Sequence, residues 1–379
     1  MNGSTGDDAA GFRAGEARTA PVRRGTASER RKAGAAVTVA ARSSPERPAQ
    51  ATMHDVAAAA HVSLKTVSRV VNREPGVRPE TQKRVEDAIA SLGFRRNVAA
   101  RSLRTGHRVV SIGLVVADLV NPFYSSVAKA VEAVAIRHNA VVIIGSSGEN
   151  ATRERELVIN LLHRPVDGLI VVPAGGDHRY LEPERRLGAQ VVFLDRSGGN
   201  IEADAVVLDN LGGAKRAVDH LIRRGHRRVG FVGDSATVRT AVDRLEGYKA
   251  ALAEAGITYD PELVRLGSPA VEKAETAAGQ LLALEDPATA IFAGNNRQCV
   301  GVLRAIRAAH RPTAVVGFDD FELADLLPIP VSVIAYDPAE LGRAAAELLF
   351  SRMAGDARPP QRIVIPTRLI QRGSGEISA

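Results

Sequence analysis

The chain has 379 residues, 45% of them hydrophobic, enough for two or three domains with a sizeable core. Its one cysteine, Cys299, excludes an intramolecular disulfide and a cysteine-rich metal site. No apolar run approaches the roughly 20 residues of a membrane-spanning helix and no apolar stretch opens the chain, so a reduced, cytoplasmic protein without metal or cofactor is expected. The net charge of +7 is uneven: 9 Lys/Arg against 5 Asp/Glu in residues 1–50, 11 against 5 in 51–108, and 30 against 33 in 109–379. A basic front on a mildly acidic body points to a polyanion partner for the front.

Residues 1–50, rich in Ala, Gly, Ser, Arg and Pro, read as a disordered basic extension. Order is expected from residue 51. "TMHDVAAAAHVSLKTVSRVVN" gives two short helices. The first, about Met53 to Ala60, turns Val56, Ala57 and Ala60 inward, and His61-Val62 is short enough only for a tight turn. In the second, Val67, Val70 and Val71 form an apolar stripe at i, i+3, i+4, while Leu64, Lys65, Ser68, Arg69 and Asn72 share the opposite face. Ser63 precedes the first turn and is placed to cap it. A third helix is expected after Pro79, with Val85, Ala88, Ile89 and Leu92 inward and Gly93 as its stop. Three small helices around one core make a helix-turn-helix domain over 51–96.

From Val109 apolar strands alternate with amphipathic helices. The strands are "VVSIGLVVA", "AVVIIGSS", "VDGLIVVPA", "QVVFLDR" and "AVVLDN", then "RRVGFVGD", "ELVRLG", "ATAIFAGNN", "TAVVGFDD", "VSVIAYD" and "RIVIPTRLI". Helices are expected over 123–138, 152–163, 180–187, 211–224, 240–255, 271–284, 298–309 and 338–353. Continuous Val/Ile runs between helices indicate buried parallel strands. About 270 residues of this pattern exceed one doubly wound domain, so two α/β lobes with a cleft between them are expected. Ligands in such sheets bind beyond the carboxyl ends of the strands.

Across 51–379 the sequence resembles the lactose-repressor/galactose-repressor (LacI/GalR) family. The resemblance rests on five segments in order: "MHDVAAAAHVSLKTVSRVVN", "RRNVAARSLRTGHR", "IGLVVADLVNPFY", "RLEGYKAAL" and "VVGFDD". It implies an α/β protein with a helix-turn-helix headpiece and a two-lobed, periplasmic-binding-protein-like body of two doubly wound parallel sheets. The hinge would span 97–108 and the effector-binding and dimerisation body 109–379. Its N-lobe would comprise about 109–208 and 338–366, its C-lobe about 209–336 and 367–379. The implied function is a homodimeric transcriptional regulator on a pseudo-palindromic duplex operator, usually a repressor, controlled by a small carbohydrate. An effector-dependent activator or a co-repressor-requiring regulator of the same fold is the alternative.

By the same resemblance Leu64, Lys65 and Arg69 read bases, through a thymine methyl for the leucine and guanine acceptors for the cations. Ser63, Thr66, Ser68, Asn72 and Arg78 hold phosphates and set register. Asn97, Ala100 and Leu103 belong to a hinge helix in which Ala100 permits close approach and Leu103 wedges into the minor groove. Arg96 stands where the family usually has proline. The implied effector contacts are Phe123, Tyr124, Asp195, Arg244, Asn295, Asp319 and Tyr336. Carboxylates, an amide and a guanidinium suit sugar hydroxyls, and the aromatics suit a ring face. Two departures, Asn296-Arg297 after Asn295 and the aromatic Tyr336 at an often polar position, raise the possibility of an acidic sugar or sugar phosphate.

An enzyme is disfavoured. "GSSGENATRE" lacks the Gly-Lys-Ser/Thr of a phosphate loop, no G-x-G-x-x-G follows the first strand, and the nine histidines are scattered, with His220 and His226 lacking a metal-ligand spacing. A secreted solute-binding protein would leave the basic headpiece unexplained.

Overall fold

The computed structural model describes residues 52–71, 74–92, 110–164 and 166–379. The chain divides into two compact units, residues 1–97 and 98–379.

The first unit contains three helices, α1 (Met53–Ala59), α2 (Leu64–Val71) and α3 (Pro79–Leu92). Thr52 caps α1 through a reciprocal box: Asp55 N–H donates to Thr52 Oγ1 at 3.3 Å, and Thr52 N–H donates to Asp55 Oδ2 at 2.7 Å. His61, at φ 52°, makes the left-handed turn into α2. Val56, Ala57, Ala60, Val67, Val85 and Ala88 are the buried core, with Met53, Val62, Val70, Val71 and Ile89 packed around it. Leu92, expected inward, is 39% exposed: it lies in the final turn of α3, beyond the reach of two very short partner helices.

The second unit holds two six-stranded sheets. The N-lobe sheet contains β1 (Val110–Val116), β2 (Ala140–Ser146), β3 (Gly168–Val171), β4 (Gln190–Asp195), β5 (Asp204–Leu208) and β11 (Arg362–Ile365), in the order β11-β5-β4-β3-β1-β2, all parallel. Helices α4 (Pro122–Arg137), α5 (Ala151–Leu162), α6 (Glu182–Arg186) and α11 (Pro338–Met353) belong to this lobe. The expected helix over 180–187 is a 3-10 turn, Arg179–Leu181, followed by the five residues of α6; Pro183 falls at the first turn and splits them.

The C-lobe sheet contains β6 (Val229–Asp234), β7 (Val264–Gly267), β8 (Ala290–Ala293), β9 (Ala314–Phe318), β10 (Ser332–Ala335) and β12 (Arg368–Ile370), in the order β12-β10-β9-β8-β6-β7. Its helices are α7 (Asn210–Arg223), α8 (Arg239–Glu254), α9 (Val271–Leu282) and α10 (Asn296–Ala309). The "RLEGYKAAL" segment builds α8. A Cβ on Gly247 would lie 2.3 Å from the Leu211 carbonyl oxygen, so glycine permits the close crossing of α7 and α8, and buried Tyr248 donates to the Val229 carbonyl at 2.8 Å.

The expectation of a wholly parallel C-lobe sheet is also corrected. The C-lobe sheet is mixed, because β12 pairs antiparallel with β10. The chain passes between lobes after β5, after β10 and after β11. The first two passages lead into α7 and α11, which carry the chain away from the cleft so that the next strand can run towards it. The third, through Pro366-Thr367, has no helix, so β12 enters the sheet against the direction of its neighbours.

Candidate DNA-reading face and effector cleft

In the headpiece, Ser63 Oγ accepts from Thr66 N–H at 3.2 Å and lies 2.9 Å from Thr66 Oγ1, so the two hydroxyls close the N-terminus of α2. Beyond this cap the helix shows solvent an exposed Leu64, an exposed Lys65 and a half-exposed Arg69, while Val67 is fully buried beneath them. Arg69 Nε lies 4.0 Å from Glu74 Oε2, a loose pair that leaves the guanidinium available. Ser68 is half-buried on the same helix. Arg78 is exposed, and its carbonyl accepts from Gln82 N–H at 2.9 Å in the first turn of α3. Asn72, Asn97, Ala100 and Leu103 lie outside the described residues.

In the body, all seven residues implied by the resemblance line one small cavity of about 50 Å³. Phe123 and Tyr124 occupy the first turn of α4, which Asn121 caps by accepting from Phe123 N–H at 3.1 Å. Their rings meet edge to face with centroids 4.7 Å apart, and Tyr336 meets Phe123 the same way at 6.0 Å. Asp195 ends β4 and Asp319 follows β9; both adopt the left-handed conformation, at φ 67° and 68°. Such backbone is costly for a non-glycine residue and concentrates at functional sites. Each lobe thus turns one strained aspartate into the cleft. Tyr336 OH donates to Asp319 Oδ1 at 2.8 Å.

Arg244 is buried and pinned. Its Nε donates to Asn210 Oδ1 at 2.8 Å, Nη1 donates to the Gly294 carbonyl, and the guanidinium lies 3.7 Å from the Phe318 ring centroid. Nη2 stands 3.7 Å from Asp319 Oδ1, outside hydrogen-bond range, and keeps donor capacity for a ligand. Asn295 is more fully engaged. It caps α10 by accepting from Gln298 N–H at 2.8 Å and donates to Asp234 Oδ2 at 2.8 Å, which is why α10 begins at Asn296 rather than 298.

Sequence reasoning left out Asp118, Asn121, Glu149, Arg196, Asp234 and Thr240, which line the same cavity. Asp118, Glu149 and Asp234 follow or end β1, β2 and β6, so applying the carboxyl-end rule to every strand would have found them. Arg196 fixes the floor: Nη1 and Nη2 donate to Glu149 Oε2 and Oε1, each at 2.7 Å. Burial pushes the Asp195 carboxyl up to about 6, against the pull of Arg196 and Arg244. Burial likewise raises Asp234 to about 6, with Arg244 and the Asn295 amide opposing. Two contacts join the lobes across this site. Arg297 Nη1 donates to Asp118 Oδ2 at 3.0 Å, and Asn296 Nδ2 donates to Asn121 Oδ1 at 3.0 Å.

Residues 52–97 match the family model "Bacterial regulatory proteins, lacI family", and residues 218–375 match "Periplasmic binding protein-like domain". Over 341 residues the chain is 32% identical to the HTH-type transcriptional regulator CelR of Thermobifida fusca, spanning 87% of this chain and 100% of that protein. The chain belongs to the LacI family of bacterial regulatory proteins. It is a DNA-binding transcriptional regulator of that family, with the two-lobed α/β body expected of it. A second LacI-family relative, the transcriptional regulator GalS of Salmonella typhimurium, is 33% identical over 308 residues, 80% of this chain and 90% of that one. Two solved structures are similar. The CelR–cellobiose complex has a TM-score of 0.65 at 29% identity, covering 86% of this chain and 100% of that one. The lac repressor dimer bound to operator and an anti-inducer has a TM-score of 0.69 at 26% identity, covering 86% and 99%.

Proposed function

We propose that the protein is a repressor whose affinity for a pseudo-palindromic operator is set by a neutral sugar held between the two lobes. The observation that carries the sugar site is the convergence of Asp195 and Asp319, one strained aspartate from each lobe, on one cavity with Arg244 and three aromatic rings. Carboxylates accept from vicinal hydroxyls, Arg244 donates to them, and Phe123, Tyr124 and Tyr336 cover a ring face. The cavity lining carries Asp118, Glu149, Asp195, Asp234 and Asp319 against Arg196, Arg244 and Arg297. This excess of carboxylate favours a neutral ligand over an anion. Arg297, which suggested an acidic sugar from sequence, is engaged by Asp118.

A cavity of about 50 Å³ is smaller than ordinary ligand pockets, which start at roughly 300 Å³, so the lobes must part to admit a sugar. A ligand that binds the open and closed arrangements unequally shifts their equilibrium. In the proposed mechanism that shift changes the spacing of two hinge segments in a homodimer, and with it the grip of two α2 helices on successive major grooves. The neighbouring repressor structure, a dimer on operator, supports this assembly. Within this reading Leu64, Lys65 and Arg69 read bases, and Ser63, Thr66, Ser68, Asn72 and Arg78 hold phosphates. Asn97, Ala100 and Leu103 form the hinge contact. The protein acts as a binding protein rather than a catalyst, in the cytoplasm with its operator. No described helix is long and apolar enough to cross a membrane.

Calorimetry with neutral mono- and disaccharides on the wild type and on Asp319→Asn tests the site. A neutral sugar is expected to bind the wild type and to lose at least tenfold in affinity with the variant. Binding confined to anionic sugars would overturn the reading.

A further inference from the structure

A second cavity of about 550 Å³ lies against the first and shares Asp195 and Arg196 with it. Its volume falls within the range of small-molecule sites. The loops after β3 and β4 form its N-lobe wall, and the start of α8 forms its C-lobe wall. The N-lobe wall is built tightly from backbone. A Cβ on Gly199 would sit 2.1 Å from the Gly176 carbonyl oxygen, and Gly176 has φ 90°. Buried His178 locks the two loops together. Its Nδ1 accepts from Gly199 N–H at 3.0 Å, so Nε2 carries the proton and donates to the buried Glu154 at 2.9 Å. His178 therefore contributes shape here and no positive charge.

The chamber's lining holds more guanidinium than carboxylate, with Arg196 already paired to Glu149 and Arg239 to Asp243, so among the described residues Arg362 is its unpaired cation. Arg196, Arg239 and Arg362 face it, against Asp195 and Asp243. Arg239 pairs with Asp243 at 2.8 Å but remains largely exposed. The Arg362 side chain is exposed and, among the described residues, has no hydrogen bond or ion pair. Arg196 is buried and committed through its Nη atoms to Glu149 and the Pro173 carbonyl; its Nε alone has no hydrogen bond and stands 3.4 Å from Asp195 Oδ2. The 16-residue helix α8 opens on the chamber with no side-chain cap, so the positive end of its dipole is unneutralised there.

We propose that this chamber is a second ligand site, for a small hydroxylated anion. Arg362, Arg239 and the N-terminus of α8 take the anionic group, and the backbone of the glycine-rich loops takes the hydroxyls. The anionic group is a carboxylate or a phosphate, and both are carried as arms of the test. Occupancy reaches the cleft through Asp195 and Arg196, which line both cavities.

The test is calorimetry on the full chain with glucose, gluconate, glucose 6-phosphate and inorganic phosphate, on the wild type, Arg362→Glu, Arg239→Ala and Asp319→Asn. Binding of gluconate or glucose 6-phosphate is expected to weaken at least tenfold in Arg362→Glu and several-fold in Arg239→Ala, and to persist in Asp319→Asn. Preference for one of the two sugar anions identifies the group. Three results would overturn the site: no anionic sugar binding, loss in Asp319→Asn with no change in Arg362→Glu, or inorganic phosphate binding as tightly as either sugar anion. Arg362 and Arg239 are surface residues, so retained thermal stability and retained operator binding distinguish loss of the chamber from misfolding and from failure of the cleft reading.

Discussion

Lys65 and Arg69 stand on the solvent side of α2 with a buried valine beneath them, so truncating them would remove the proposed contacts to DNA without opening a core. Arg69→Ala is expected to cost about 1–3 kcal/mol of operator affinity and to relax preference at one base pair, and Lys65→Ala somewhat less. Binding titrations against single-base operator variants at fixed salt check this; equal loss on every duplex would mark them as phosphate contacts. In the cleft, Asp195 and Asp234 titrate near 6 when folded, against 3.8 for an ordinary aspartate. The folded body therefore holds protons that the unfolded chain releases. The stabilisation from these groups is complete below about pH 4, is lost as pH rises through 6, and is constant above 7. Asp195→Asn with Asp234→Asn should flatten the pH dependence of the unfolding midpoint between 4 and 6.5. An unchanged slope would show that the two groups titrate normally. The seven cleft residues were legible only because motifs marked them. Asp118, Glu149 and Arg196 follow β1, β2 and β4, so the carboxyl-end rule reaches them; what only the fold shows is that Arg196 pairs with Glu149 and that all three line one cavity.

At the scale of elements, the reciprocal Thr52–Asp55 cap fixes the start of α1, a seven-residue helix too short to hold itself. Thr52→Ala should lower headpiece stability by about 1 kcal/mol and leave sugar binding unchanged. Differential hydrogen exchange in α1 measures it, and protection equal to wild type would contradict it. The partly exposed Arg297–Asp118 pair and the Asn296–Asn121 bond tie α10 of one lobe to the start of α4 in the other. A double-mutant cycle of Arg297→Ala and Asp118→Ala should give a coupling of about 0.5–1 kcal/mol in body stability, with a larger radius of gyration in solution. Additive effects would mean that the pair does not hold the lobes together. Strands and helices were legible in the sequence because continuous Val/Ile runs and 3.6-residue stripes are local signals. The reversed entry of β12 was not. Its direction depends on the chain crossing between lobes without a helix, and nothing in "IPTRLI" records which sheet lies on either side.

For the whole molecule the proposed mechanism is linkage: one free energy couples sugar in the cleft to operator on the headpieces. Allosteric couplings of this kind are about 1–3 kcal/mol, or 5–150-fold in affinity. The family and the two-lobed body follow from five ordered motifs, whereas the identity of the sugar does not. It depends on side-chain placement around a cavity that only the folded cleft defines. The most direct test is the affinity of the full chain for a duplex selected from a random library, measured with and without a neutral sugar that calorimetry shows to bind. The account predicts at least a fivefold change in operator affinity with that sugar. In Asp319→Asn the change should disappear while affinity without sugar stays at the wild-type value. An operator affinity indifferent to a sugar that occupies the cleft would contradict it.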